Sequence, residues 1–316
     1  MVHDGGTAMT ARSCMNESGG QVPGIDFAGR RPVWPAVLMG ALLASGMALG
    51  TGCSRMPQAA GPPVEAEHIR VRLVAETPEL VPGATTLVAV LIELDSEWHV
   101  YAPARNDTGL PVLLRFSGPS GYEFAPPLWP APERAVSSGS ILDHVYGDGT
   151  AIAVPVTVPA DAAAGERVTL TARVEWLVCG ESCILGEADL EITLPVGQPG
   201  AARPASAQAA LIRRSLGRVP VPLRLAPAGV EFEREPGAWS IQVPGASALT
   251  FYPGEECVPL ADPIADAASR GDRLRLRLEE SAGSSDRLVG ILEIEKPERT
   301  LYRAIDAPAA TGRAAS

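Results

Sequence analysis

The chain has 316 residues, 46% of them hydrophobic and only 5% aromatic, with 37 acidic against 26 basic side chains and a formal net charge of −11. That length holds one large domain or two of ordinary size, and an acidic chain with no basic stripe argues against nucleic acid as a partner. The 30 prolines and 32 glycines are scattered along the chain, as many short strands joined by turns require.

The first signal in chain order is Arg30-Arg31, followed by an apolar run from Val33 to Leu49 and the small residues Gly50-Thr51-Gly52 before Cys53. A basic start, an apolar middle and a small-residue exit are the parts of an export signal. The apolar run falls short of the ~20 residues that span a bilayer. Cys53 directly after small residues resembles a bacterial lipoprotein box, although Gly50 stands where that box usually carries leucine. Residues 1–52 are therefore expected to be leader and signal peptide. Cys53 is the expected lipidation site, and 53–65 a Pro/Gly/Ala-rich tether. An uncleaved anchor helix is the alternative, and it leaves the rest outside the membrane just the same.

From Ile69 the chain reads as strands. Ile69, Val71 and Leu73 alternate with His68, Arg70 and Arg72, the period of a half-buried strand. Strands are expected at 86–94, 99–101, 112–116, 150–158, 168–178 and 188–194, with turns at Val81-Pro82-Gly83, Gly118–Gly121 and Ala164-Gly165-Glu166. This pattern implies an all-β fold, an immunoglobulin-like antiparallel β-sandwich over 66–196. A Pro/Ala/Gly linker over 197–213 follows, running into a short helix through Leu216. A second, smaller β-rich domain is expected over 214–308, with strands at 219–225, 230–232, 239–243, 249–252, 274–278, 288–294 and 301–305. Residues 309–316 are expected to be a disordered tail.

Cys179 and Cys183 lie between two expected strands in Trp176-Leu-Val-Cys-Gly-Glu-Ser-Cys-Ile-Leu185. Four residues of extended chain separate Cα atoms by about 13 Å, so a disulfide here requires Gly180-Glu181-Ser182 to fold back. A cross-link closing so short a loop stabilises by only about 2 kcal/mol. The spacing thus leans towards a reactive pair over a structural staple without deciding between them. A metal site is a third option, but it needs two further ligands, and neither a second cysteine pair nor a close histidine pair is present. Glu175, Glu181 and Glu187 flank the pair and disfavour thiolates, so any activating group must come from elsewhere in the fold. Cys257 stands alone in the second half and reads as a partly buried inert thiol, with intermolecular pairing as the alternative.

Several motifs recur together: Trp98-His99-Val100-Tyr101, Asn106-Asp107-Thr108-Gly109-Leu110-Pro111, Leu128-Trp129-Pro130-Ala131-Pro132, Asp143-His144-Val145-Tyr146-Gly147, and the cysteine pair after Trp176. In this order they resemble the periplasmic N-terminal domain of DsbD-type thiol:disulfide interchange proteins, especially the branch that includes the copper-sensitivity suppressor ScsB. The resemblance covers about residues 66–196 and implies an immunoglobulin-like sandwich. It also implies that Cys179 and Cys183 are a redox pair flanked by Tyr101 and His99, and that Asp143, His144, Val145 and Tyr146 belong to a cap loop over the disulfide. Val145 takes the place of the cap's usual aromatic shield, and no membrane or thioredoxin-like domain of that family has a counterpart in these residues.

The expected function is extracytoplasmic disulfide exchange, as a component rather than a complete enzyme. Its partners would be a separate membrane electron donor and periplasmic thioredoxin-like or disulfide isomerase-like proteins. No cofactor or metal is called for. The localisation implied is the periplasmic side of a Gram-negative cell envelope, anchored to the membrane by lipid. The contexts implied are cytochrome c biogenesis and copper tolerance. The alternative is a non-catalytic partner-binding module of an envelope redox or copper-stress system whose disulfide is structural. Copper bound by His99, His144 and the thiols is a smaller third reading.

Overall fold

A computed structural model describes residues 59–223, 229–280 and 287–307. The expected leader, the lipidation site at Cys53 and the expected tail lie outside the described residues.

The first half is built of β1 (Val64–Ala66), β2 (Ile69–Ala75), β3 (Thr85–Leu94), β4 (His99–Tyr101), β5 (Leu113–Ser117), β6 (Glu123–Phe124), β7 (Glu133–Ser137), β8 (Ile141–Tyr146), β9 (Thr150–Thr157), β10 (Arg167–Cys179) and β11 (Cys183–Pro195). One sheet has the order β1-β2-β3-β9-β6 and the other β11-β10-β4-β8-β7, with β5 also paired to β10. The two pack face to face as an immunoglobulin-like sandwich. Strand β10 shows why. Val168, Leu170, Ala172, Val174, Trp176 and Val178 alternate with more exposed neighbours and enter the core, because successive side chains on a strand point to opposite faces. They meet Leu73, Val90 and Ile152 from the facing sheet.

The central strands of the first sheet are apolar on both faces. Their outer residues Val74, Ala89, Leu91, Ala151 and Ala153 pack under Ile212 of α1 (Ala209–Leu216). The segment expected as a linker is therefore docked: Ser206 Oγ donates to the Ala75 carbonyl at 2.6 Å, and the Gly197 amide to that of Leu80 at 2.7 Å. The expected tether is also docked from Ala59 onward. The Gly61 amide donates to the Leu73 carbonyl and the Ala75 amide to that of Ala59, both at 2.8 Å. Small residues here let the backbone approach closely; a Cβ on Gly61 would sit 1.8 Å from the Glu191 carbonyl oxygen.

The second half holds β12 (Val221–Pro222), β13 (Glu231–Glu235), β14 (Ala238–Gln242), β15 (Ala248–Pro253), the short helix α2 (Pro263–Asp266), β16 (Ala268–Arg270), β17 (Arg273–Arg277), β18 (Leu288–Lys296) and β19 (Arg299–Ala307). Its sheets have the orders β12-β19-β18-β15-β16 and β13-β14-β17. They enclose a separate core around Phe251, Ile241, Leu274 and Leu292, which also contains the buried Cys257.

The halves are hydrogen-bonded to each other. The Ala131 amide donates to the Arg218 carbonyl at 2.8 Å, and the Arg134 guanidinium to the carbonyls of Pro263 and Ile264 at 2.7 and 2.9 Å. Arg105 donates to the Cys257 carbonyl at 3.1 Å.

Candidate functional site

Strands β10 and β11 form one long antiparallel hairpin, and its last register pair is Cys179 opposite Cys183. Gly180-Glu181-Ser182 folds back as the turn, with the Gly180 amide donating to the Ser182 carbonyl at 3.0 Å. The Cα atoms are thereby 4.2 Å apart and the two sulfurs are bonded. Counting along β10, Cys179 falls on the face opposite the core residues Trp176 and Val178. The disulfide therefore lies on the outer face of its sheet, not inside the sandwich.

The two cysteines differ in access. Cys179 is 3% exposed, whereas Cys183 is exposed. The cover over Cys179 comes from β4 and β8. His99 stands directly opposite Cys179 across the β4–β10 ladder, and Tyr101 pairs with Val145. Tyr101, Val145 and Cys179 form a small apolar cluster with Ala135 and Leu177 against it. The His99 and Tyr101 rings meet edge to face at 5.1 Å.

The loop from Asn106 to Pro111 lies on Tyr101. Gly109 faces its ring so closely that a Cβ would be 2.0 Å from it, so glycine is required there. Buried Asp143 anchors this loop, accepting from the Thr108 amide at 3.0 Å and the Thr108 hydroxyl at 2.6 Å. Burial pushes the His99 imidazole below its ordinary pKa, against the opposing pull of Asp143. Burial pushes the Tyr101 phenol up; the Thr108 hydrogen bond opposes this and Asp143 adds to it.

The structure corrects the expected cap loop. Asp143, His144, Val145 and Tyr146 belong to strand β8, paired on both sides by β4 and β7. Alternation along this strand splits the four residues. Asp143 and Val145 face the disulfide side, while Tyr146 enters the sandwich core and its hydroxyl donates to the Pro130 carbonyl at 2.8 Å. His144 is fully buried, with Nδ1 at 2.7 Å from the Arg105 carbonyl and its ring edge-on to Tyr252 of the second half. It does not face the thiols, so the residues invoked for shared copper binding are not brought together. Burial, with Arg134 nearby, holds the His144 pKa below its ordinary value, and the Arg105 carbonyl, Asp143 and Asp107 oppose this.

Beside the disulfide turn, Trp98 packs partly buried against the sandwich core and meets His68. Their rings stack at 3.7 Å and 10°. Gly180 of the disulfide turn lies against the Trp98 indole, where a Cβ would come within 2.8 Å. His68 is in turn held by Asp95, with Nδ1 2.9 Å from its carboxylate. The available signal was the pairing of an aromatic with a glycine next to a cysteine, which is too common to single out.

Residues 70–195 match the family model described as "Thiol:disulfide interchange protein DsbD, N-terminal". No curated protein matches the chain. Among solved structures, the N-terminal periplasmic domain of ScsB from Proteus mirabilis aligns over 80% of this chain and all of its own, at 13% identity and a TM-score of 0.53. That likeness shows a shared fold. The GAE domain of yeast GGA1 aligns over 42% of this chain and 96% of its own, at 10% identity and a TM-score of 0.26, and carries no argument.

Proposed function

We propose that the Cys179–Cys183 pair, which lies within the stretch 70–195 that matches the DsbD N-terminal family model, exchanges electrons with extracytoplasmic thiol proteins through Cys183. The observation that carries this reading is the unequal exposure of the two cysteines on an outer sheet face.

A partner thiolate attacks the exposed Cys183 sulfur. The S–S bond breaks, its electron pair leaves on the Cys179 sulfur, and a mixed disulfide joins Cys183 to the partner. The proton released by the partner's thiol passes to the departing Cys179 thiolate, with the His99 ring opposite Cys179 as the relay. The partner's second thiolate then attacks its own sulfur in the mixed disulfide and expels Cys183, which takes up the second proton. The partner dithiol has become a disulfide, and Cys179 and Cys183 a dithiol. The reverse sequence passes the two electrons on. Tyr101 and Val145 shield Cys179, and Asp143 fixes the Asn106–Pro111 loop over Tyr101. His144 and Tyr146 support from the other face of β8.

The partners proposed are thioredoxin-like or isomerase-like proteins and a separate membrane donor. The location proposed is the periplasm, with the signal at Arg30–Cys53 and a lipid on Cys53.

The test is the reduction potential of the pair, by thiol trapping in redox buffers. An exchanging pair gives a value above about −300 mV; a lower value makes the disulfide a staple and overturns the reading. The unequal access adds a trapping asymmetry. Cys179→Ser, which leaves the exposed thiol, accumulates mixed disulfides with periplasmic proteins, and Cys183→Ser does not.

A further inference from the structure

The outer face of the β10–β11 hairpin does not become polar beyond the disulfide. The next outward pair is Leu177 opposite Leu185, about 7 Å along the strands from the cysteines. Leu185 is 73% exposed. Leu113 at the start of β5 and Leu110 on the anchored loop flank the same spot, 48% and 62% exposed. Together with Pro111 they line a shallow groove of about 380 Å³. At its far end Glu175 and Glu187 are held by Arg173, so the shelf stops at an ion-pair network.

The position of this shelf says what covers it. A mixed disulfide on Cys183 brings the partner's Cβ within about 4.5 Å of the Cys183 Cβ. Surface around the partner's cysteine must then lie on whatever surrounds Cys183. Towards β4 that ground is taken by His99, Tyr101 and the loop above them, and at the turn Gly180 is backed by the stacked Trp98 and His68 rings. Along the hairpin the way is open, and it leads over Leu185.

We propose that Leu110, Leu113, Leu177 and Leu185 form the docking shelf for the thiol protein that reacts with Cys183, and that the shelf selects a partner whose reactive cysteine has an apolar rim. This rests on the exchange reading above and adds how the partner is chosen. The shelf acts on encounter and orientation, so a small dithiol gains nothing from it, whereas a protein dithiol buries it.

The test uses the full chain and two reductants, dithiothreitol and reduced thioredoxin, the latter as a probe with an apolar rim around its cysteine pair. Wild type is compared with Leu185→Glu and with the uncharged Leu185→Gln. The expected result is that thioredoxin reduces wild type much faster per dithiol than dithiothreitol does. Both variants lose this advantage by tenfold or more while keeping the wild-type rate with dithiothreitol. If thioredoxin has no advantage on wild type, or the variants keep it, the proposal is overturned. It is also overturned if wild type is a dimer at the assay concentration and Leu185→Glu a monomer, because the shelf then binds a second copy. If dithiothreitol itself cannot reduce the folded chain, the exchange reading fails and the shelf falls with it.

Discussion

The two sheets of the sandwich share one core but treat their outer faces differently. The outer face of the β1-β2-β3-β9-β6 sheet is closed by the chain itself, through Ile212 of α1 on Val74, Ala89, Leu91, Ala151 and Ala153. The opposite sheet is covered over β4 and β8 by the Asn106–Pro111 loop but leaves its outer face open along β10 and β11, with the disulfide at the end of that stretch beside three exposed leucines. A sheet buried on both faces is a scaffold. A sheet with one dry face and one apolar but uncovered patch presents that patch to something else. The comparison assigns stability to one side of the sandwich and encounter to the other.

Removing the cover on the closed face is the strongest way to break this contrast. Ile212 is fully buried, and trimming such a side chain to alanine leaves a cavity as well as losing burial, at about 2–5 kcal/mol. Ile212→Ala is therefore expected to lower stability to chemical denaturation by that amount while the folded chain keeps its rate of disulfide reduction by dithiothreitol. A loss below about 1 kcal/mol would mean that α1 rests on the sheet without closing it.

A smaller effect comes from the strand that joins the open face to the second half. His144 and His99 both have lowered pKa values, so near the unperturbed value of about 6.5 the unfolded chain binds protons that the folded chain refuses. Their contribution to stability is therefore complete above that pH and is lost as the pH falls below it. The slope is at most about 1.4 kcal/mol per pH unit for each histidine. Denaturation between pH 7 and 5.5, above the ordinary carboxylate range, should show stability falling with acid. His144→Gln should flatten that slope whatever its effect at pH 7. An unchanged slope would place the linked protons elsewhere.

How much of this was legible in the sequence follows the same division. Strands whose pattern is local were readable: the alternation of Val168–Val178 matches β10, and His99–Tyr101 was located as β4. The cysteine pair was singled out by its spacing and its neighbours. Strands β7 and β8 were missed because Asp143-His144-Val145-Tyr146 does not alternate in polarity. Asp143 and His144 are buried for their partners, the Thr108 amide and hydroxyl and the Arg105 carbonyl, and nothing local announces partners more than 30 residues away. The tether and linker misled for a related reason. Pro, Gly and Ala describe flexible chain in isolation, yet small residues are also what allow Gly61 and Ser206 to lie directly on the sheet. The stacking of His68 on Trp98 likewise joins two turns that only the folded sheet brings together.

The smallest expected effect sharpens the comparison most. Leu185 is apolar like Ile212, and by composition alone the two should matter equally. At 73% exposure, however, Leu185 has little burial to lose, and exposed substitutions usually stay within about 0.5 kcal/mol. Leu185→Ala should therefore leave stability unchanged within that margin, measured in the same denaturation series as Ile212→Ala. A loss approaching that of Ile212→Ala would mean the chain covers its own leucine in solution, and the face carrying the disulfide would then be closed like its opposite. Near-equality with wild type leaves an exposed leucine one rung from a reactive sulfur with no stabilising work of its own, which is the condition a docking surface has to meet.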